Sequence, residues 1–163
     1  MGKLGFIKIS DVVILPGWRG KFAMKNSKIT TKKSRMFEAM KTRDRDFLKV
    51  CRRIRENQGG ARLTMRQVAG KAVKTEAPGY YVTFDYAYRM LRLLRNGRIS
   101  PDYNRIKIQQ WEELRVKVDK VRKSYGIRDD ATALGLVLAG GRASRFFISQ
   151  AYGLRLLKNL NSK

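Results

Sequence analysis

The chain has 163 residues, with 37 Lys+Arg against 13 Asp+Glu, no His, one Cys and a formal net charge of +24. At roughly 100–200 residues per domain it is one domain or two very small ones, and 43% hydrophobic residues supply a core that a disordered polycation lacks. The lack of His excludes Ser-His-Asp and Cys-His catalysis and His metal ligands, and a lone Cys51 excludes an intramolecular disulfide and a Cys-cluster zinc site.

The single Cys fits a reducing compartment. No apolar run approaches the ~20 residues of a membrane-spanning helix, and the first residues lack a signal-peptide core of roughly 7–15 apolar residues. The expectation is a protein of the host cytoplasm, or of a virion, with no membrane partner.

A strand-like run opens the chain, Gly5-Phe6-Ile7-Lys8-Ile9-Ser10-Asp11-Val12-Val13-Ile14-Leu15, and Pro16-Gly17 ends it. No acidic residue occurs from Val12 to Phe37, where Arg19, Lys21, Lys25, Lys28, Lys32, Lys33 and Arg35 stand with Trp18 and Phe22 between them. Residues 16–35 read as an extended basic arm, ordered by a partner or a neighbouring chain. The alternative is a basic N-terminus with no fixed structure.

Residues 43–56 have a helical stripe, with Phe47, Val50, Cys51 and Ile54 inside and Lys49, Arg52, Arg53 and Arg55 outside. Asn57-Gln58-Gly59-Gly60 stops it. Further helices are expected at 64–74 and 83–95, the latter capped by Thr83, with Asp85 in its first turn and Gly97 past its end. A turn at 97–102 around Pro101 leads to a helix over 110–124, whose stripe is Trp111, Leu114, Val118 and Val121. Asp129 or Asp130 caps a helix at 131–139, and Ser149 caps a last one at 149–160.

An internal repeat runs through these elements. Ala77-Pro78-Gly79-Tyr80-Tyr81-Val82-Thr83-Phe84-Asp85-Tyr86-Ala87-Tyr88-Arg89-Met90-Leu91 aligns without a gap on the fifteen residues from Ala143 to Leu157, at an offset of 66. Ala, Tyr, Arg and Leu are identical at 77/143, 86/152, 89/155 and 91/157, and the aromatic pair, β-branched residue and hydroxyl keep their order. The expected fold is therefore mainly α. It has two pseudo-repeated units, 42–99 and 100–163, each helix, helix, short extended segment, helix, and packed as one domain behind the N-terminal strand and basic arm of residues 1–41. The order from 64–74 to 83–95 is helix-turn-helix-like, with a connector of about eight residues in place of the usual turn of roughly 3–4. The other geometry is a pairing of the two extended segments across a pseudo-dyad.

The Tyr80-Tyr81-Val82-Thr83 and Phe146-Phe147-Ile148-Ser149 stretches resemble a string found in small basic repeat-bearing proteins of gut-anaerobe phages and mobile elements. The resemblance covers less than a quarter of the chain. It implies a phage or mobile-element origin and transfers no site.

Chemistry is sparse. Glu112-Glu113 and Asp129-Asp130 are the only adjacent carboxylates, and neighbours on a helix do not share a face. Such a pair at a helix start reads as capping. Gly135-x-x-x-x-Gly140-Gly141-Arg142 lacks the Lys-Ser/Thr ending of a phosphate loop and reads as a helix stop. Cys51 reads as core. No catalytic residue, metal site, cofactor or small-molecule substrate is expected.

The charge remains as the functional signal. Dense Lys and Arg suit a polyanion, because neutralising phosphates releases counterions. The partner expected is nucleic acid, DNA ahead of RNA. The candidate contacts are Arg89, Arg92, Arg95, Arg155 and Lys158 on the last helix of each unit, Lys71, Lys74, Arg142 and Arg145 beside them, and the arm residues Arg19, Lys21, Lys25, Lys28, Lys32, Lys33 and Arg35. One aromatic of each pair, Tyr80/Tyr81 and Phe146/Phe147, would point outward to stack on a base if those segments alternate. The simpler reading is that both seal the core. The second functional reading is a virion or ribonucleoprotein assembly protein that also meets acidic partner subunits.

Overall fold

The computed structural model describes residues 32–57 and 62–161. Among them run six helices: α1 (Lys32–Glu56), α2 (Met65–Val73), α3 (Phe84–Arg95), α4 (Arg105–Tyr125), α5 (Asp130–Gly140) and α6 (Gln150–Asn161). The described chain is mainly helical, and none of its helices is long and apolar enough to cross a membrane. The strand expected at 5–15 and the arm up to residue 31 lie outside the described residues.

One boundary moves. Residues 32–41, expected at the end of the arm, are the first turns of α1, which crosses the expected division at 41/42 without a break. The segment has no Gly or Pro to stop a helix. Lys41 also meets Glu38 at 3.2 Å and lies over the Phe37 ring at 4.4 Å, both at helical spacing.

The other helix ends follow their side chains. Thr64 forms a capping box with Gln67 at the start of α2, and Asp129 Oδ1 accepts Thr132 N–H at 2.7 Å at the start of α5. Ser149 Oγ accepts Tyr152 N–H at 3.1 Å, whereas Thr83 stands at the N-cap of α3 without a side-chain bond. Asn104 caps α4 through Ile106 and Lys107 N–H at 2.9 and 3.3 Å. Gly97 follows α3 and Gly126 caps α4, each with φ of 63° in the left-handed region.

Packing crosses between the halves. α1 packs on α2 and α4 on α5, but α3 packs on α4 and α5, and α6 on α1 and α2. Within the described residues α2 does not pack on α3, nor α5 on α6. The compact pairing of 64–74 with 83–95 that a helix-turn-helix implies is therefore not made. The connector is the cause: Ala77 pairs with Ala143 in an isolated antiparallel bridge, and the chain beyond it carries α3 over to α4 and α5.

The bridge sits in the core. Phe47, Trp111, Leu114, Leu134, Phe146 and Leu157 are fully buried around it, together with Ala77, Ala143 and Cys51. The expected stripes hold, with Trp111, Leu114 and Val118 buried on α4 and Phe47 and Cys51 on α1. The outward aromatic does not exist. Tyr80, Phe146 and Phe147 are buried, and half-buried Tyr81 stacks on Phe146 at 6.2 Å and donates its hydroxyl to Asp46 at 2.9 Å. A φ of 52° at Tyr81 breaks the alternation that would have turned one ring outward.

Candidate nucleic-acid interface

Much of the acidic complement is engaged within the fold. Glu113, midway along α4 and not a cap, accepts the Tyr80 hydroxyl at 2.7 Å, Ser144 N–H at 2.9 Å and the Ser144 hydroxyl, and meets Lys117 at 3.2 Å. Burial raises its pKa, but the hydrogen bonds from Ser144 and Tyr80 outweigh it and hold the carboxyl below the usual range. Glu113 thus ties α4 to both connectors. Asp119 and Asp130 are held by arginines, and Asp44 and Asp46 lie among Arg43, Lys49 and the tyrosines.

On α3 the three expected arginines separate into two roles. Arg95 Nη2 lies 2.6 Å from Asp119 of α4, and its Nε lies 2.8 Å from Asp130 of α5. Arg122 shares Asp130 at 3.1 Å and also donates to the carbonyls of Ile127 and Arg128. Burial opposes the charge of Arg95, but Asp119 and Asp130 outweigh it and hold the guanidinium above its usual range. Arg95 therefore braces α3 against two helices. Arg89 and Arg92 are exposed with no ion-pair partner among the described residues, and Arg89 lies over the Tyr86 ring at 5.2 Å. Arg92 borders a cleft of about 380 Å³ with Arg122 and Arg128, where the Arg95–Asp130–Arg122 bridge forms the wall.

Near the start of α3 a wider cleft of about 500 Å³ opens between Arg35 of α1 and Phe84, Asp85, Tyr86 and Arg89. Phe84 is 41% exposed and stacks on Tyr88, with ring centroids 5.9 Å apart. It lines the cleft with two arginines and one carboxylate, Arg35, Arg89 and Asp85, and the aromatics expected to be exposed are instead covered. No signal in the sequence marked it: Phe84 stands at i, i+3 and i+7 with buried Ala87 and Leu91, so its spacing reads as core, and only its place in the first turn leaves it exposed.

The remaining candidates scatter. Arg155 repeats the Arg89 arrangement on α6, over the Tyr152 ring at 5.0 Å. Lys71 and Lys74 are exposed at the end of α2. Arg142, with its side chain 72% exposed, reaches Glu76 only at 3.9 Å. Arg145 donates to Gln109 and lies over Phe147, which fixes it against the body. Lys158 is exposed on α6. Lys32 and Lys33 belong to α1, with side chains outside the described set, and Arg19, Lys21, Lys25 and Lys28 lie outside it altogether.

Among the described residues no group of His, Cys, Asp or Glu is arranged to hold a metal ion. No protein-family model, curated protein or solved structure matches the chain.

Proposed function

We propose that the protein binds nucleic acid through its phosphate backbone and catalyses no reaction. The reading rests on one observation above others. Arg89 and Arg92 stand exposed on α3 with no ion-pair partner among the described residues, beside the exposed ring of Phe84, in a chain whose net charge is +24. Arginines in that state contact phosphates, and a free ring beside them stacks on an unpaired base. Arg128, across the cleft from Arg92, extends the row, and Arg155, Lys71 and Lys74 supply further contacts.

Two pseudo-repeated units with exchanged third helices form the scaffold of this reading. In its support, α3 and α6 each have 12 residues and start 66 positions apart, and Ala77 and Ala143 pair at the same offset. DNA stands ahead of RNA as the ligand.

The second reading, a component of a virion or ribonucleoprotein, has one observation in its favour. α5 carries Asp130 as its only charged residue and leaves Leu136 45% exposed, an uncharged face on a strongly basic protein. Such a face suits a protein neighbour.

Fluorescence anisotropy against a duplex, a single strand and an RNA hairpin, from low to high salt, tests the first reading. The log–log slope should be steep, near −0.9 per phosphate contact on duplex DNA. Arg89→Ala with Arg92→Ala should weaken all ligands and flatten the slope by about two contacts. Phe84→Ala should weaken the single strand most. Full affinity in the double variant would remove α3 from the interface.

A further inference from the structure

Two cations that the α3 surface does not use meet in a recess of about 200 Å³. Arg43 of α1, Asn104 and Lys107 at the start of α4, and Ser149 and Tyr152 at the start of α6 form its polar border, and four apolar side chains complete the lining. Arg43 is only 9% exposed. Its Nε and Nη2 donate to Asp44 Oδ1 at 3.0 and 2.7 Å, and Nη2 also donates to the Tyr152 hydroxyl at 3.1 Å. The same hydroxyl donates to the other oxygen of Asp44 at 2.7 Å. Asp44 is therefore already engaged.

Lys107 has no such partner. Its Nζ finds one acceptor among the described residues, Gln110 Oε1 at 2.9 Å, although an ammonium carries three N–H groups. Arg43 Nη1 likewise has no acceptor among them. Burial, and then the charge of Arg43, push the Lys107 ammonium down to about 8. Two positive charges thus share a recess with a single carboxylate that is bound to one of them. Like charges in a half-buried space repel, and a desolvated cation without a counter-ion is costly. An anion entering the recess would remove both penalties and accept the spare N–H groups.

We propose that this recess binds a terminal phosphoryl group, as free phosphate or as a phosphate monoester, through Lys107 and Arg43. A phosphodiester within a duplex carries a sugar on each side and is too bulky to reach a guanidinium this deeply covered. A terminal phosphoryl group presents three free oxygens, enough to accept from both Lys107 Nζ and Arg43 Nη1 at once, and its charge answers the uncompensated Lys107. The start of α6 borders the same space, where the helix dipole also favours an anion. The inference does not depend on nucleic-acid binding, because free phosphate satisfies it.

The test follows Lys107 by NMR in protein labelled at lysine Nζ, titrated in inorganic phosphate and in chloride at equal ionic strength. In chloride Lys107 should titrate near 8, and in saturating phosphate its midpoint should rise by a unit or more. The thermal midpoint should rise with phosphate in the wild type and in Lys120→Met, an exposed control on α4, but not in Lys107→Met. Lys107→Met removes a desolvated charge and should fold. A response no larger than that of chloride, or one retained in Lys107→Met, overturns the proposal. A 5′-phosphorylated oligonucleotide and its 5′-hydroxyl twin then separate the sources. A tenfold preference for the phosphorylated strand, lost in Lys107→Met, assigns the nucleic-acid end. Equal affinities beside a positive phosphate response assign the free anion, and no affinity for either strand beside that response sinks the nucleic-acid reading while leaving this one standing.

Discussion

Ala77 and Ala143 exchange both of their backbone hydrogen bonds, at 2.9 and 3.0 Å, with 0% and 1% of their surfaces exposed. This pair is the only ladder joining the two connectors among the described residues, and it lies where the third helices cross over. Ala143→Leu should therefore strain the crossing itself and cost roughly 1–3 kcal/mol. Urea unfolding would measure it, and a variant within about 0.5 kcal/mol of wild type would show that the crossing tolerates bulk.

Arg92 and Arg95 sit three residues apart on one helix and should respond oppositely. Arg95→Ala abandons contacts to Asp119 and Asp130, so it should lower stability by roughly 1 kcal/mol, discounted for a side chain that is 29% exposed. Arg92→Ala should leave the urea midpoint unchanged and weaken nucleic-acid binding. Equal stability losses in the two variants would contradict the division of roles.

That division marks the limit of the sequence. Helix positions were legible because stripes such as Trp111, Leu114 and Val118 announce a buried face, and because Ser149, Asp129 and Gly97 announce ends. A stripe does not say what covers it, so the exchange of α3 and α6 between halves was hidden. The partners of Arg95 come from helices 24 and 35 residues away, and nothing local separates it from Arg92. Arg43 did leave a trace: it lies one turn before Phe47, on the apolar stripe of α1.

Two glycines inside helices make a sharper test. Glycine in a helix interior usually costs about 0.5–1 kcal/mol relative to alanine. At Gly135 of α5 a new Cβ meets nothing within 4 Å, so Gly135→Ala should stabilise by about that amount. At Gly153 of α6 the Cβ would lie 2.6 Å from Phe47 Cζ, whose ring is fully buried edge-on against Phe146. Gly153→Ala should destabilise by roughly 1–3 kcal/mol despite the better helix propensity. Thermal unfolding of both variants would decide, and shifts of the same sign would refute the packing argument.

Alkaline titration should give a rise and then a fall in stability. The folded pKa of Lys107, about 8, lies below the ordinary lysine value, so between pH 8 and about 10.4 the unfolded chain holds a proton that the folded one has released. Its contribution to stability rises there with pH, by up to about 1.4 kcal/mol per unit. Burial, with hydrogen bonds to Glu113, Asp46, Tyr103 and Asp44, raises Tyr80, Tyr81, Tyr86 and Tyr152, with Tyr86 reaching about 12. These groups stay protonated in the folded state above pH 10, where the unfolded chain ionises, so their stabilisation is complete below pH 10 and is lost beyond it. Burial also pushes the Cys51 thiol up to about 11, so from about pH 9 the unfolded chain ionises a thiol that the fold keeps protonated, and this loss offsets the Lys107 gain. Urea midpoints from pH 7 to 11.5 should rise from about pH 8 to 9, level off, and fall above pH 10, and Lys107→Met should lack the rise. A wild-type profile flat from pH 7 to 9 would rule out a depressed Lys107.

The packing of α3 and α6 on helices distant in the chain also governs how the chain is made. Of the described helices a ribosome delivers α1 and α2 first, yet α6, which packs on both, emerges after the other five. When α3 leaves the exit tunnel, α4 and α5 are still being translated. The apolar faces of the early helices thus wait through most of synthesis for covers that arrive last. A nascent chain stalled after residue 99 would offer its uncovered faces to chaperones, to proteases or to a second stalled chain, and closure of the core waits until α6 is clear of the ribosome.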